Sequence, residues 1–232
     1  MTDNIKVEIK LVIISTSQYE NKDIRKADIT NFSFLGEQSE DGNIHLLSFE
    51  LAPGVCINTE VMSLLSKCNI NSTFVKQLKT YNKVNSTGGS IIIISYLALA
   101  NNIEHINSTD RLSICRVETV KRNLETFQID DIATQYNIDD IDKLIVKEAL
   151  KNISNWAKGG SDIAFEILPE LFTINELESV YTLLLGYNPP SFRRVTLPKL
   201  EETDQIRQNK GFRPAKLFRA KERMKECLDS DI

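Results

Sequence analysis

The stretch TINELESVYTLLLGYNPPSFRR, residues 173–194, decides how this chain is read. Thr173 and Glu176 stand three apart ahead of an apolar run, the spacing of a capping box. The threonine oxygen accepts from the backbone N–H of Glu176, and the Glu176 carboxylate accepts from the backbone N–H of Thr173. Ile174, Leu177, Tyr181 and Leu184 then recur on one helical face, and Gly186 ends the helix. Asn188-Pro189-Pro190 predicts an immediate restart, with Asn as N-cap and proline in the first turn, where its missing N–H has no partner. The second helix carries Phe192-Arg193-Arg194, so the whole stretch has the pattern of a helix-turn-helix.

Downstream, Asp204 to Arg219 predicts a short hairpin whose tip, Arg207 to Gly211, is a basic wing. Upstream, Ile141, Leu144, Ile145, Ala149, Ile153 and Trp156 share one helical face and Gly159-Gly160 stops it, which predicts a helix connecting two units. The first half reads as β-rich. Lys6 to Ser15 alternates, Asn43 to Leu51 is a second candidate strand, and Ser90 to Ala100 is a third, with Ile91 to Ile94 apolar throughout and so expected to be buried on both faces. Thr59 to Lys67 predicts a helix with Val61, Met62 and Leu65 on its inner face.

With 232 residues, 41% apolar and 26% charged, the chain excludes a disulfide mini-protein, a collagen-like chain and a disordered one. The net charge of −4 announces no nucleic-acid partner, but it is unevenly distributed. Residues 187–223 hold ten basic and four acidic residues, or +6; residues 224–232 carry −2, leaving −8 for residues 1–186. An acidic body bears a basic C-terminal section. The apolar run Leu11 to Ile14 is too short for a membrane span or a signal-peptide core, so a cytoplasmic location is expected. Cys56, Cys68, Cys115 and Cys227 are scattered and read as free buried thiols, and His45 and His105 stand apart, so no metal is expected.

Residues 165–173 (FEILPELFT), Glu176-Leu177, Tyr181, Gly186, Phe192-Arg193-Arg194, Gly211-Phe212-Arg213-Pro214-Ala215 and Phe218-Arg219 resemble the winged-helix part of Nudix-related transcriptional regulators, the NrtR-type repressors of NAD metabolism genes. The resemblance spans about residues 140–220. More faintly, residues 49–55 (FELAPGV), Val75-Lys76-Gln77-Leu78, Gly89 and residues 95–99 (SYLAL) are similar to the strands around a Nudix box. The implied fold is an α/β Nudix-like sandwich followed by a winged helix-turn-helix. The implied division is a degenerate Nudix-like sensor at 1–140, a connecting helix at 141–160, a winged helix at 161–223 and a tail at 224–232.

Nudix hydrolysis requires several carboxylates on one helix, since a hard cation must polarise the phosphate oxygens. The box is G-x5-E-x7-R-E-U-x-E-E-x-G-U, with U apolar. Starting at Gly54, Glu60 fits, but Cys68 and Asn69 stand for Arg-Glu, Ser72 and Thr73 for the metal-binding pair, and Val75 for glycine. Residues 61–80 contain no Asp or Glu, so no shift of register restores a metal cluster. The chain is therefore read as not an enzyme. The alternative is a divergent Nudix hydrolase of a nucleoside diphosphate derivative with an attached interaction domain; a third reading makes the winged helix a protein-interaction module. The resemblance implies a sensor for ADP-ribose or another nucleotide metabolite. Lys76, Lys79 and Lys83 are candidates for its phosphates, against the blander reading of solvated lysines.

For DNA, Arg193 and Arg194 are expected to meet bases or phosphates, and Ser191 a phosphate. Lys199, Lys210, Arg213, Lys216 and Arg219 are the remaining candidates. Phe192 is expected to anchor the helix in the core. The resemblance implies a homodimer, which would match double-stranded DNA carrying a palindromic operator.

Overall fold

In the computed structural model, residues 5–18, 29–70, 72, 74–84, 89–101, 103, 111–122, 129–134, 136–208 and 214–221 are described. The alternating apolar pattern of β1 (Lys6–Gln18) places it at the centre of a seven-stranded mixed sheet. The other strands are β2 (Ile29–Gln38), β3 (Ile44–Glu50), β4 (Phe74–Val84), β5 (Ser90–Leu99), β6 (Leu112–Arg122) and β7 (Ile129–Ala133), in the order β4-β5-β1-β3-β2-β6-β7. β1 runs parallel to β5, with Ile9 opposite Ile94 and Ile14 opposite Leu99, and antiparallel to β3 and to β2.

Both faces of the sheet are covered, which is why Ile9 to Ile14 of β1 are all buried. Odd positions Ile9, Leu11 and Ile13 join Leu35, Leu47, Val75 and Ala98 beneath Val61 and Leu65 of α1 (Ile57–Lys67). Even positions Val12 and Ile14 join Phe32, Phe34, Ile44, Leu46, Phe74 and Leu97 beneath Ile145, Val146, Ala149 and Ile153 of α2 (Asp140–Lys158). The helix expected as a connector is therefore also the outer layer of an α/β/α sandwich. Gly36 permits the tight approach of β2 to β3, since a Cβ there would stand 2.3 Å from Ile44 Cγ2.

Four sequence expectations change. Met62 faces outward rather than joining the inner face of α1, because the buried pair Val61 and Leu65 is one turn apart and Met62 lies about 100° round from Val61. On β5 the stretch buried throughout is Ser95 to Leu99; Ile91, Ile92 and Ile94 keep partial exposure, as they pair with Thr80 to Lys83 at the end where β4 leads into β5, away from the centre of the sheet. Cys56 is exposed, as the N-cap position of α1, while Cys68 and Cys115 are buried. Strands β2, β6 and β7 add to the three that the sequence pattern signals and to β4, which holds the Val75–Leu78 segment of the resemblance.

The α2-face core continues without a break into the C-terminal section, where it takes in Phe165, Phe172, Leu177, Leu184 and Phe192. That section is built from α3 (Ala164–Ile167), α4 (Ile174–Leu185), α5 (Phe192–Thr196), a 3-10 turn at Leu197–Lys199, and the hairpin β8 (Leu200–Arg207) with β9 (Ala215–Ala220). α4 packs on both α2 and β2. No helix among the described residues is long and apolar enough to cross a membrane.

Candidate nucleic-acid interface and effector cleft

The capping box forms as its sequence predicts. Thr173 accepts from the Glu176 N–H at 3.2 Å, and the Glu176 carboxylate accepts from the Thr173 N–H at 2.8 Å. Gly186 ends α4 in the left-handed region at φ 81°. The predicted restart at Asn188 does not occur: α5 begins at Phe192, after Ser191 in the left-handed region at φ 56°. The physical reason is that each proline disfavours helical backbone in the residue before it, so Asn188 and Pro189 are pushed toward extended conformations. Two helices joined by a tight turn are retained, with the second helix shorter and later.

Phe192 and Thr196, one turn apart, point inward. Phe192 packs edge-on to Tyr181 at 5.6 Å between centroids, and Thr196 Oγ1 donates to the Phe192 carbonyl at 2.8 Å. Burial, with Asp162 nearby as a lesser cause, pushes the Tyr181 phenol up to about 12, so it stays neutral. Since α5 turns 100° per residue, burying Phe192 and Thr196 presents Arg193, Arg194 and Val195 to solvent. Arg193 Nη2 reaches Asn175 Oδ1 at 3.5 Å. Arg194 makes no hydrogen bond or ion pair among the described residues, and Ser191 caps nothing with its side chain.

The hairpin carries charges of both signs. Lys199 Nζ pairs with Asp162 at 2.5 Å, Lys216 pairs with Glu202, and Arg219 Nε lies 4.0 Å from Glu201. The Lys216 and Arg219 pairs are exposed, weak and salt-sensitive, so those two cations can exchange a carboxylate for a phosphate, whereas the Lys199–Asp162 pair is half-buried. Lys210 and Arg213 lie outside the described residues.

Arg207, expected at the tip of the wing, is instead the last residue of β8 and turns inward to pair with Glu176, a carboxylate 2% exposed. Its Nη2 also donates to the Leu171 carbonyl at 3.4 Å. Together with the paired Phe172 and Phe218 backbones, with N–O distances of 3.1 and 2.8 Å, this ties the hairpin to the start of α4. Arg207→Met keeps the aliphatic stem but strands a buried carboxylate, and should cost about 1–3 kcal/mol of stability in urea denaturation. A loss within error would mean that the capping box alone satisfies Glu176.

At the other end of α2, Asp142 is fully buried among polar partners. Lys10 Nζ lies 2.7 Å from its Oδ1, and the Leu46 N–H donates to its Oδ2 at 3.0 Å. His45 Nδ1 stands 3.8 Å from that same oxygen and 3.4 Å from Asp139 Oδ2. His45, Asp139 and Asp142 bring their ligand atoms within 4.8 Å of one another, a grouping with no signal in the sequence. Its chemistry fits a cation poorly, because Lys10 already supplies the countercharge and the N-terminus of α2 is itself positive. His45 also lines a cleft of about 270 Å³ with Glu37, Glu40, Ser48 and Arg111. Lys76 and Lys79 do not reach it; they sit over the rings of Trp156 and Tyr81, at 5.2 and 5.7 Å.

α2 therefore runs from the wall of this cleft to the helix-turn-helix. Its 19 residues span about 28 Å, and near its far end Ser154 Oγ donates to the Leu184 carbonyl of α4 at 2.6 Å. On α1, Glu60 is the one acidic residue, and the helix stops at Lys67, before Ser72 and Thr73.

The fold and site define a class: a Nudix-like α/β/α sandwich joined to a winged helix. Residues 164–220 match the family described as the NrtR DNA-binding winged helix domain. The chain is similar to the MutT/nudix family protein from Enterococcus faecalis, at TM-score 0.66 and 16% identity over 96% of this chain and 90% of that one. It is also similar to Shewanella oneidensis NrtR complexed with a 27mer DNA, at TM-score 0.61 and 19% identity over 93% of both chains. With the ADPR responsive transcriptional repressor NtrR of Acinetobacter baylyi it shares 26% identity over 161 residues, 67% of this chain. The chain spans about 60% of the length of that relative. Residues 164–220 are thus an NrtR-type winged helix, carried by a chain whose overall fold is like that of these Nudix-related proteins.

Proposed function

We propose that the chain is a sequence-specific, DNA-binding transcriptional regulator, a repressor, whose non-catalytic Nudix-like domain senses a nucleotide metabolite. The observation that carries this reading is the exposed Arg193-Arg194 pair on the second helix of an NrtR-type winged helix. Ser191, Arg193 and Arg194 are assigned to the major groove and its flanking phosphates, and Lys199, Lys210, Arg213, Lys216 and Arg219 to backbone phosphates. The sensor at 1–140, the connecting helix at 141–160, the winged helix at 161–223 and the tail at 224–232 are the working division. A homodimer on a palindromic operator doubles the phosphates neutralised by a modest +6 section. A cytoplasmic location belongs to the same reading, because the partner is DNA.

The effector is assigned to the ADP-ribose class by analogy with the Acinetobacter repressor. The absence of catalysis is supported by α1 carrying one carboxylate, which leaves no acidic cluster on that helix to hold magnesium. α2 supplies a route for regulation. A ligand with different affinities for two positions of α2 would bias the placement of α4, and so of α5. The test is selection of an operator from random double-stranded DNA, followed by titration of the complex with ADP-ribose. Release of DNA without consumption of ADP-ribose in magnesium supports the reading. Failure to enrich any sequence removes the DNA assignment, and hydrolysis of ADP-ribose removes the non-catalytic one.

A further inference from the structure

Helix α5 breaks two local rules at one residue. Val195 is 59% exposed, although aliphatic side chains favour burial. It is also β-branched, and a helix freezes its χ1, although only its inner edge borders Tyr181, Leu185 and Phe192. A charged or small residue would suit a solvent-facing helix better on both counts. Leu197, the next outward residue, is 45% exposed as well. Isolated exposed apolar residues are ordinary; here the apolar surface adjoins Arg193 and Arg194 on the same outward arc.

A polyanion that offers an apolar group beside its charges matches this surface. Double-stranded DNA offers one such group in the major groove, the C5-methyl of thymine. The two guanidinium groups answer phosphates or guanine edges, and the stiff isopropyl group of Val195 is already fixed in direction. We infer that Val195 reads a thymine methyl group in the major groove and so sets base preference at one position of each half-site. This rests on the DNA-binding reading above and adds a base to it.

The experiment uses the full chain and the operator selected from random DNA. Each thymine in turn is replaced by deoxyuridine, which keeps every hydrogen-bonding group and removes only the methyl. One substitution per half-site should weaken binding of the native chain about fourfold, the worth of one buried methyl. Val195→Ala removes the contact from both half-sites of the proposed dimer, so it should weaken binding to the thymine operator about sixteenfold, and should then be indifferent to that deoxyuridine. Thermal melting of Val195→Ala should match the native chain, because the side chain is exposed. If every deoxyuridine costs both proteins alike, or if the selected half-sites contain no thymine, the inference falls while the DNA reading stands. If the native chain selects no sequence at all, both fall, and the exposed Val195 and Leu197 belong to a protein interface instead.

Discussion

Arg193→Ala combined with Arg194→Ala should reduce operator affinity by roughly 30-fold to 10⁴-fold, since each well-placed arginine is worth about 1–3 kcal/mol at a base edge. The salt dependence separates phosphate binding from base reading. Each phosphate that is no longer neutralised should lower the slope of log affinity against log salt by about 0.9, whereas removing a side chain that reads a base leaves the slope unchanged and relaxes preference at one position. The two singles should differ. Arg193 is leaned toward Asn175, at 3.5 Å, and Arg194 makes no bond among the described residues, so Arg194 is the freer to reach a ligand and its removal should cost more. Neither side chain supports the core, so stability should change by less than about 0.5 kcal/mol. Anisotropy titrations at several salt concentrations measure all of this. An unchanged affinity and slope in the double variant would remove the DNA assignment.

What is legible in the sequence is local. Thr173 and Glu176 are three residues apart, Gly186 directly follows the apolar stripe, and Lys6 to Ser15 alternates within a single strand; each signal is complete in a few residues. Strands β2 and β6 give a weaker signal because their alternation lasts only a few residues. Phe32 and Phe34 are buried, but Asn31 and Ser33 separate them from a clear run, and among the described side chains of β6 only Cys115 and Val117 are buried. Their place in the sheet comes from pairing with one another, across some 80 residues of sequence.

The site follows the same division. The outward Arg193 and Arg194 can be read from a local helix pattern, whereas the inward turn of Arg207 cannot, because its partner Glu176 is already committed to a cap that looks complete without it. His45 shows how far the limit reaches. Taken alone it is one of two isolated histidines, and only the fold brings it beside Asp139 and Asp142.

The buried pair of Lys10 and Asp142 carries the other large effect. It joins the central strand to the first turn of α2, and the side chains are only 8% and 0% exposed. Lys10→Met matches the length of the stem and removes the charge, leaving a carboxylate with the Leu46 N–H but no countercharge. Stranding a buried charge in this way should cost about 3–5 kcal/mol, measured as a shift of the urea midpoint. Asp142→Leu alone should also be costly, since it orphans the Leu46 N–H and leaves the buried ammonium with only Glu8, 3.4 Å away. The double variant decides what the pair is for. If the ion pair served stability, Lys10→Met with Asp142→Leu would be as damaged as either single. Since desolvation offsets most of the attraction between buried charges, the double should recover to within about 1–2 kcal/mol of the native chain. Stability would then return while the polar link between the cleft and α2 stayed broken. In that background ADP-ribose should lose its hold on operator affinity if α2 transmits its binding, and keep it if the signal takes another route.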